Sequence, residues 1–398
     1  PSASNSTCLN TTSPFNIWVT EMIYISAVGM INALGNNQDE IAANLTRGEA
    51  PGMRPRTGWL QGHPHAVLAG VDGELPTIPD ELSAHRSRNN QLLLAALAQI
   101  QPQVDDAIAQ FGRDRVAIVL GTSTSGLDEG DAHVDLTLNG NTSSAWQYPQ
   151  QELGDPSRFL SHWLALDGPA FTLSTACSSS ARAIMSGRRL IESGLADVTI
   201  VGGADTLSRM PINGFHSLES LSLTRCQPFG RDRCGITIGE GAALMLLTRE
   251  PQPIALLGVG ESSDAYHISA PHPQGEGAIR AIQQALNDAG VTPDQVGYIN
   301  LHGTATPLND QIESHVVSEL FGERVPCSST KHLTGHTLGA AGITEAAISM
   351  LILQRNLPLP PQDFSTSPRD ETLPACGIIA CPPPLARPVI RSNSFAFG

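Results

Sequence analysis

FTLSTACSSSARAIM, residues 171–185, changes character in its middle: a β-prone run gives way to small residues, after which the spacing turns helical. Cys177 falls on the join. A strand that becomes a helix this abruptly forms an elbow, and a thiol placed there faces the first unpaired N–H groups of the helix. The aligned peptide dipoles at that end favour the thiolate over the thiol. Moving a cysteine from a pKa of about 8.5 to about 7 takes about 2 kcal/mol, near the upper limit for a partly buried helix end. The expectation is a nucleophile with a lowered pKa, not one more small buried residue.

On either side of the elbow, β-rich strings alternate with helical ones. DRVAIVLGTSTSG (114–126), ADVTIVGGAD (196–205) and GAALMLLTRE (241–250) precede Pro251. PIALLGVGESSDA (253–265), VGYINLHGTAT (296–306), VPCSSTKH (325–332) and CGIIACPP (376–383) follow it. The chain therefore reads as two α/β halves. Continuous apolar strands of this kind suit sheets covered on both faces. AIRAIQQALNDAGVTP (278–293) is an amphipathic helix with a glycine stop, which puts the next strand, and His302 after it, at a strand end.

With 398 residues, 40% hydrophobic and 15% charged, the chain can bury a large core in one or two domains. Its 37 glycines fit an α/β protein with many tight turns. No apolar run approaches the roughly 20 residues of a membrane span, and no leader with a basic start and apolar middle is present. The expected location is cytoplasmic, with no membrane partner. The seven cysteines are irregularly spaced, with no CxxC pair, which argues against a disulfide framework or a metal site. Cys376 and Cys381 are expected to be reduced and buried. Against 23 basic residues stand 38 acidic ones, a net charge of −15, which speaks against nucleic-acid binding.

Two further strings define what the thiol is for: LHGTATPLND (301–310), carrying His302, and SSTKHLTGHTLGAAGITEA (328–346), carrying Lys331, His336 and Glu345. With MIYISAVGMINALG (22–35), PFGRDRCGITIGEG (228–241) and RSNSFAFG (391–398), they make the chain resemble the elongating β-ketoacyl-[acyl-carrier-protein] synthases of the thiolase superfamily. The resemblance runs from about Met22 to the end of the chain. The order Cys, His, His is specific: a thiolase would offer a second late cysteine, and an initiating synthase an asparagine at position 336. Residues 1–21, rich in Ser, Thr and Asn, precede the resemblance and read as a flexible extension or a cloning remnant.

The resemblance implies the thiolase-like α/β fold, two related halves stacked as five layers, α-β-α-β-α. Residues 22–250 would form the half with the nucleophile, and 251–398 the half with both histidines. Relatives continue past this point with a glycine-rich turn and a last strand, so the second half would lack its final strand here.

The implied reaction is a decarboxylative Claisen condensation. The Cys177 thiolate takes an acyl group from a carrier protein, with the backbone N–H groups of Cys177 and Phe395 as oxyanion hole. A malonyl thioester then loses CO₂, and neutral His302 and His336 each turn an Nε2–H toward its charged oxygen. Lys331 supports this network; lysines are scarce here, and this one falls in the motif. Glu345 orients Lys331. Thr304 and Thr306 would bind the pantetheine arm, while Asp310 looks like a helix N-cap or loop anchor. No cofactor is implied beyond the carrier's own arm.

Departures from the family pattern point to a specialised member. Relatives usually read PFDxxRDGF where this chain has PFGRDRCGI; Cys234 replaces an acidic residue, and Ile236 a phenylalanine that packs beside the thiol. In SFAFG, Ala396 stands for a flexible glycine in the gating loop, which restricts its swing. Thr124 stands where relatives tune chain length, smaller than isoleucine, so Thr124, Ile236 and Phe395 are the expected acyl pocket. Aryl-polyene and other type II polyketide synthases are the candidate systems. There an active chain often pairs with a cysteine-less sister, making a heterodimer the alternative to a homodimer. The carrier protein is acidic, so docking needs local basic residues: Arg86, Arg88, Arg225, Arg231 and Arg233. A cysteine hydrolase would have no use for the second histidine, and a non-catalytic chain-length partner would lack Cys177.

Overall fold

Val116–Gly121 and Val198–Asp205 are apolar runs buried along their whole length, and they lie side by side at the centre of a sheet covered on both faces. The computed structural model describes residues 22–141 and 145–396. The reading of residues 1–21 falls outside the described residues.

Eleven strands are defined among those residues. They are β1 (Ile23–Asn32), β2 (Met53–Arg56), β3 (Ala66–Ala69), β4 (Val116–Gly121), β5 (Ala170–Leu173), β6 (Val198–Asp205), β7 (Gly241–Thr248), β8 (Ala255–Leu256), β9 (Tyr298–Asn300), β10 (Cys327–Ser328) and β11 (Ile390–Ser392). The large sheet has the order β5-β4-β6-β7-β1-β8, and the second sheet β10-β9-β11; β2 and β3 form a separate ribbon. Strands β5, β4 and β6 are parallel, β7 runs against β6 and β1, and the second sheet is parallel throughout.

The period of two along each strand distributes its side chains between layers. On β4, Ile118 and Leu120 pack with Leu92, Leu93 and Leu97 of the helix Arg88–Ala98 on the outer face. Val119 packs on the opposite face with Ala183 and Ile191 of the helix Ser179–Glu192 and with Ile343, Ala347 and Leu351 of the helix Ala341–Arg355. On β9, Tyr298 joins that same central layer, whereas Ile299 turns to Ile282, Val316 and Val317 of the outer helices Glu276–Ala289 and Pro307–Phe321. These are the five layers α-β-α-β-α.

Some expected elements are shorter than their composition suggests. Of the run 253–265 only Ala255–Leu256 pairs as a strand, and CGIIACPP contributes a single bridge, Ile378 with Cys327. Gly258 and Gly260 abut the helix Glu276–Ala289 so closely that a Cβ would meet its carbonyls at 2.5 and 2.1 Å, so this stretch serves backbone approach. Cys376 is buried as expected, but Cys381 is exposed, because the prolines after it carry the chain over the surface. Among the described residues, no helix is long and apolar enough to cross a membrane.

Candidate active site

The elbow is built by serines. Ala176 adopts a left-handed φ of 49°, and Cys177 and Ser178 follow before the helix opens at Ser179. Ser178 Oγ donates to the Thr175 carbonyl (2.8 Å), Ser179 Oγ to the Ala176 carbonyl (2.6 Å), and Thr175 N–H to Ser179 Oγ (2.9 Å). Local side-chain bonds of this kind hold a backbone that an alanine avoids by itself. A Cβ at Gly121 would lie 2.3 Å from the Ser180 nitrogen, so only glycine at the end of β4 lets the helix start this close.

His302 follows β9, and His336 lies beyond the short helix Lys331–Thr334, in a bridge with Ile238. The Cys177 sulfur and one ring nitrogen from each histidine all lie within 4.8 Å of one another, buried. His336 Nε2 is 3.1 Å from Cys177 Sγ, and the two rings meet edge to face at 5.4 Å. The ring protons follow from the outer partners. Leu338 N–H donates to His336 Nδ1 (3.2 Å), and Lys331 Nζ, 3.4 Å from His302 Nδ1, is a donor only. Both imidazoles therefore carry their proton on Nε2. Burial, with the Lys331 charge second, holds both histidines well below the ordinary histidine range, so both are neutral. A metal ion would require free Nε2 lone pairs here; this site presents N–H groups instead.

The thiol corrects the expectation of a lowered pKa. Cys177 is 6% exposed, and burial pushes its thiol up to about 12; Lys331 pulls the other way, while Asp205 and Glu345 add to the rise. Desolvation outweighs the helix end because in this buried site little solvent can share the sulfur's charge. The His336 N–H is the hydrogen-bond donor that stands beside the sulfur.

Lys331 is the chain's only lysine. It is fully buried and hydrogen-bonded to Glu345, whose carboxyl burial raises to about 7 against the pull of that ammonium. Glu313 accepts from the backbone N–H of His302 (2.8 Å) and Gly303 (2.7 Å), and from Asn393 Nδ2 (3.1 Å). Ser394 Oγ donates to the Cys177 carbonyl (2.9 Å), tying the C-terminal segment to the elbow, and Phe395 meets His302 edge to face at 5.9 Å. Neither Glu313 nor Ser394 was singled out from the sequence. Glu313 lies eleven residues from His302, where only the helix Pro307–Phe321 brings it back.

Thr304 and Thr306 hydroxyls bond each other at 2.8 Å. Thr306 is the N-cap of the helix Pro307–Phe321, and Asp310 is the loop anchor, accepting from Phe229 N–H (2.8 Å) and Ala305 N–H (3.2 Å). Thr124 Oγ1 donates to Asp205 (2.7 Å). Ile236 packs with Leu221, Ile212, Ile238 and Leu338, two residues before the bridge of Ile238 with His336.

The basic residues divide. Arg88 is committed to Glu240 through Nε (3.0 Å) and Nη2 (2.7 Å), and buried Arg233 to Asp370 (2.6 Å) and Asp310 (3.7 Å). Both cations are therefore held by carboxylates of the same chain, Arg233 with its side chain buried and Arg88 partly exposed. Arg86 is half-exposed beside Asp80, Arg225 binds the His332 carbonyl, and Arg231 is the most exposed.

Residues 20–252 match the N-terminal domain of β-ketoacyl synthase and residues 254–364 its C-terminal domain. The 3-oxoacyl-[acyl-carrier-protein] synthase 2 of Synechocystis sp. is 30% identical, over 94% of this chain and 95% of its own length. That of Coxiella burnetii is 29% identical over 94% and 96%. Among solved structures, the ketosynthase ApeO of Xenorhabdus doucetiae, in complex with its chain length factor ApeC, shares 66% identity, with a TM-score of 0.93 over 95% of each chain. The ishigamide ketosynthase/chain length factor shares 26%, with a TM-score of 0.84 over 95% of this chain and 96% of that one. One buried thiol, two N–H-bearing imidazoles and matches across both halves lead to one conclusion: this chain belongs to the β-ketoacyl synthase family.

Proposed function

We propose that the chain is a condensing ketosynthase that joins an acyl group held on Cys177 to the two carbons left when a carrier-bound malonyl thioester loses CO₂. The observation that carries this reading is the convergence of two neutral Nε2–H donors on the Cys177 sulfur. In the first half-reaction Cys177 Sγ bonds the acyl carbonyl carbon, the carrier's C–S bond breaks, and the thiol proton leaves on the carrier's sulfur. With the thiol pushed up to about 12, attack and proton loss are coupled, and His336 N–H steadies the sulfur's charge.

In the second half-reaction the malonyl C–C bond breaks, CO₂ departs, and the charge moves onto the thioester oxygen. His302 and His336 donate to that oxygen, and donors fixed in a dry site need no reorganisation when the charge appears. The new carbanion bonds the acyl carbon, the Cys177 C–S bond breaks, and the sulfur regains one proton. The products are a 3-oxoacyl carrier thioester, CO₂ and free enzyme.

The acyl-carrier partner docks on the more exposed cations, chiefly Arg231 and Arg86, with Arg225 contributing its partly exposed guanidinium. A cysteine-less sister chain is the proposed partner subunit, and a polyketide or polyene system its setting, on the strength of the ApeO match. Thr304 and Thr306 hold the pantetheine arm, with Thr124, Ile236 and Phe395 around the acyl chain. The test is reconstitution: purified chain, with and without a co-expressed sister chain, is given acyl and malonyl carrier proteins. Intact-mass detection of the acyl group on Cys177 and of a 3-oxoacyl carrier is the expected result; acyl transfer to water alone would replace it with a hydrolase.

A further inference from the structure

Strand β4 ends at Gly121, opposite Gly203, and β6 runs two residues further, so its last residue, Asp205, comes alongside the turn that leaves β4. Asp205 has no exposed surface. Its Oδ1 accepts from Thr122 Oγ1 (2.8 Å), Ser123 N–H (2.8 Å), Thr124 N–H (2.8 Å) and Thr124 Oγ1 (2.7 Å), and Oδ2 from Ser123 N–H (3.1 Å). Every one of these donors is neutral.

On the other side of the carboxylate lies the Leu338–Ala340 turn. A Cβ at Gly339 would stand 2.7 Å from Asp205 Oδ2 and 2.8 Å from the Ser123 nitrogen, so the bare backbone of Gly339 packs against the carboxylate and the Thr122–Ser125 turn together. The preceding residue, Leu338, is held at a left-handed φ of 51°, which a side-chain-bearing residue avoids unless its surroundings impose it. It is the N–H of Leu338 that meets His336 Nδ1.

We infer that Asp205 is a positioning residue: by filling the gap between the two turns, it keeps Leu338 where its N–H fixes the His336 ring, so that Nε2–H faces Cys177, and it pins the Thr124 wall. The inference rests on the ketosynthase reading for what His336 does, but not for the contacts themselves. No contact between Asp205 and substrate is required. The carboxylate is also a negative charge near the sulfur, one of several charged or titratable groups around it with Lys331, Glu345, His302 and His336.

Asp205→Asn keeps the size and removes the charge, and it turns an N–H₂ toward donors that need an acceptor. Malonyl-carrier decarboxylation by this variant is expected to fall about 10- to 100-fold in kcat, as for a catalytic group displaced by about 1 Å, with KM little changed. Iodoacetamide alkylation of Cys177 at pH 8 should become faster, because a like charge no longer opposes the thiolate. Gly339→Ala should reproduce the kcat loss and slow that alkylation, since it moves the His336 N–H away from the sulfur without removing the Asp205 charge. Thermal melting reports the folded fraction of both variants, and Gly339→Ala carries the test if the asparagine variant does not fold. Parental kcat in either folded variant overturns the inference, as does unchanged alkylation of Asp205→Asn. A parent that decarboxylates nothing sinks the ketosynthase reading instead, and the alkylation comparison then decides whether Asp205 acts on this site.

Discussion

His336 stands with Nε2 3.1 Å from the Cys177 sulfur while its other nitrogen accepts the Leu338 N–H, so the ring can only donate toward the thiol. It is placed as a hydrogen-bond donor to the sulfur, and not as the general base of a cysteine hydrolase. His302, held from behind by Lys331, presents the same kind of N–H.

Cys177→Ala should abolish both acyl loading and condensation with the fold intact, because the change removes little volume. Cys177→Gln places an amide where the acyl thioester would be, and malonyl decarboxylation should continue without condensation. Intact mass and CO₂ release distinguish the two. Elongation at the parental rate by the alanine variant would refute the assignment.

His302→Ala and His336→Ala should each slow malonyl decarboxylation by about 10²–10³, the usual loss for one oxyanion donor. Only His336→Ala should also slow acyl transfer to Cys177, since only that ring has a hydrogen bond with the sulfur. Equal effects of both substitutions on both half-reactions would mean that the donors do not divide in this way.

Burial raises the Cys177 pKa, so at any pH between the ordinary thiol range and about 12 the protonated fraction exceeds that of a free cysteine. Iodoacetamide alkylation should therefore be slow at pH 7 and still climb beyond pH 10, where a free thiol has levelled off at about 8.5 plus one to two units. A plateau near pH 7 would show that the helix end governs the thiol after all.

Lys331→Met should destabilise the chain by about 3–5 kcal/mol in urea unfolding, because it leaves Glu345 buried without its partner. Replacing both, as Lys331→Met with Glu345→Leu, should recover much of that stability, since no buried charge is then left without its partner. Decarboxylation should not recover, because His302 Nδ1 loses its donor. Full activity in the double variant would reduce the pair to a packing element.

Arg231→Glu should raise KM for the carrier protein several-fold with melting temperature little changed, whereas Arg225→Glu should raise it and also lower the melting temperature, because the His332 carbonyl loses its donor. Arg233→Ala should instead lower stability, because Asp310 and Asp370 both lose a cation. A carrier KM that responds to none of the exposed arginines would move the docking surface elsewhere.

The motifs around Cys177, His302 and His336 were legible as short strings because the backbone geometry they need is local: serines that tie an elbow, and glycines where the chain must come close. The unbroken apolar run of VAIVLG, and the mostly apolar VTIVGGAD, likewise read as buried strands without any knowledge of their neighbours. Three other features depend on groups far apart in the chain. The sign of the thiol's pKa shift turned on burial beneath two distant histidines, which a helix-end argument cannot see. Arg88 and Arg233 looked like surface cations until Glu240, Asp310 and Asp370 came beside them. The proton position on the His302 ring comes from Lys331, 29 residues on, and the role of Asp205 beneath Gly339 from two turns more than 100 positions apart, whereas the His336 ring is set locally by Leu338. Local conformational preference is written residue by residue, whereas desolvation and charge pairing are properties of the space that the folded chain encloses.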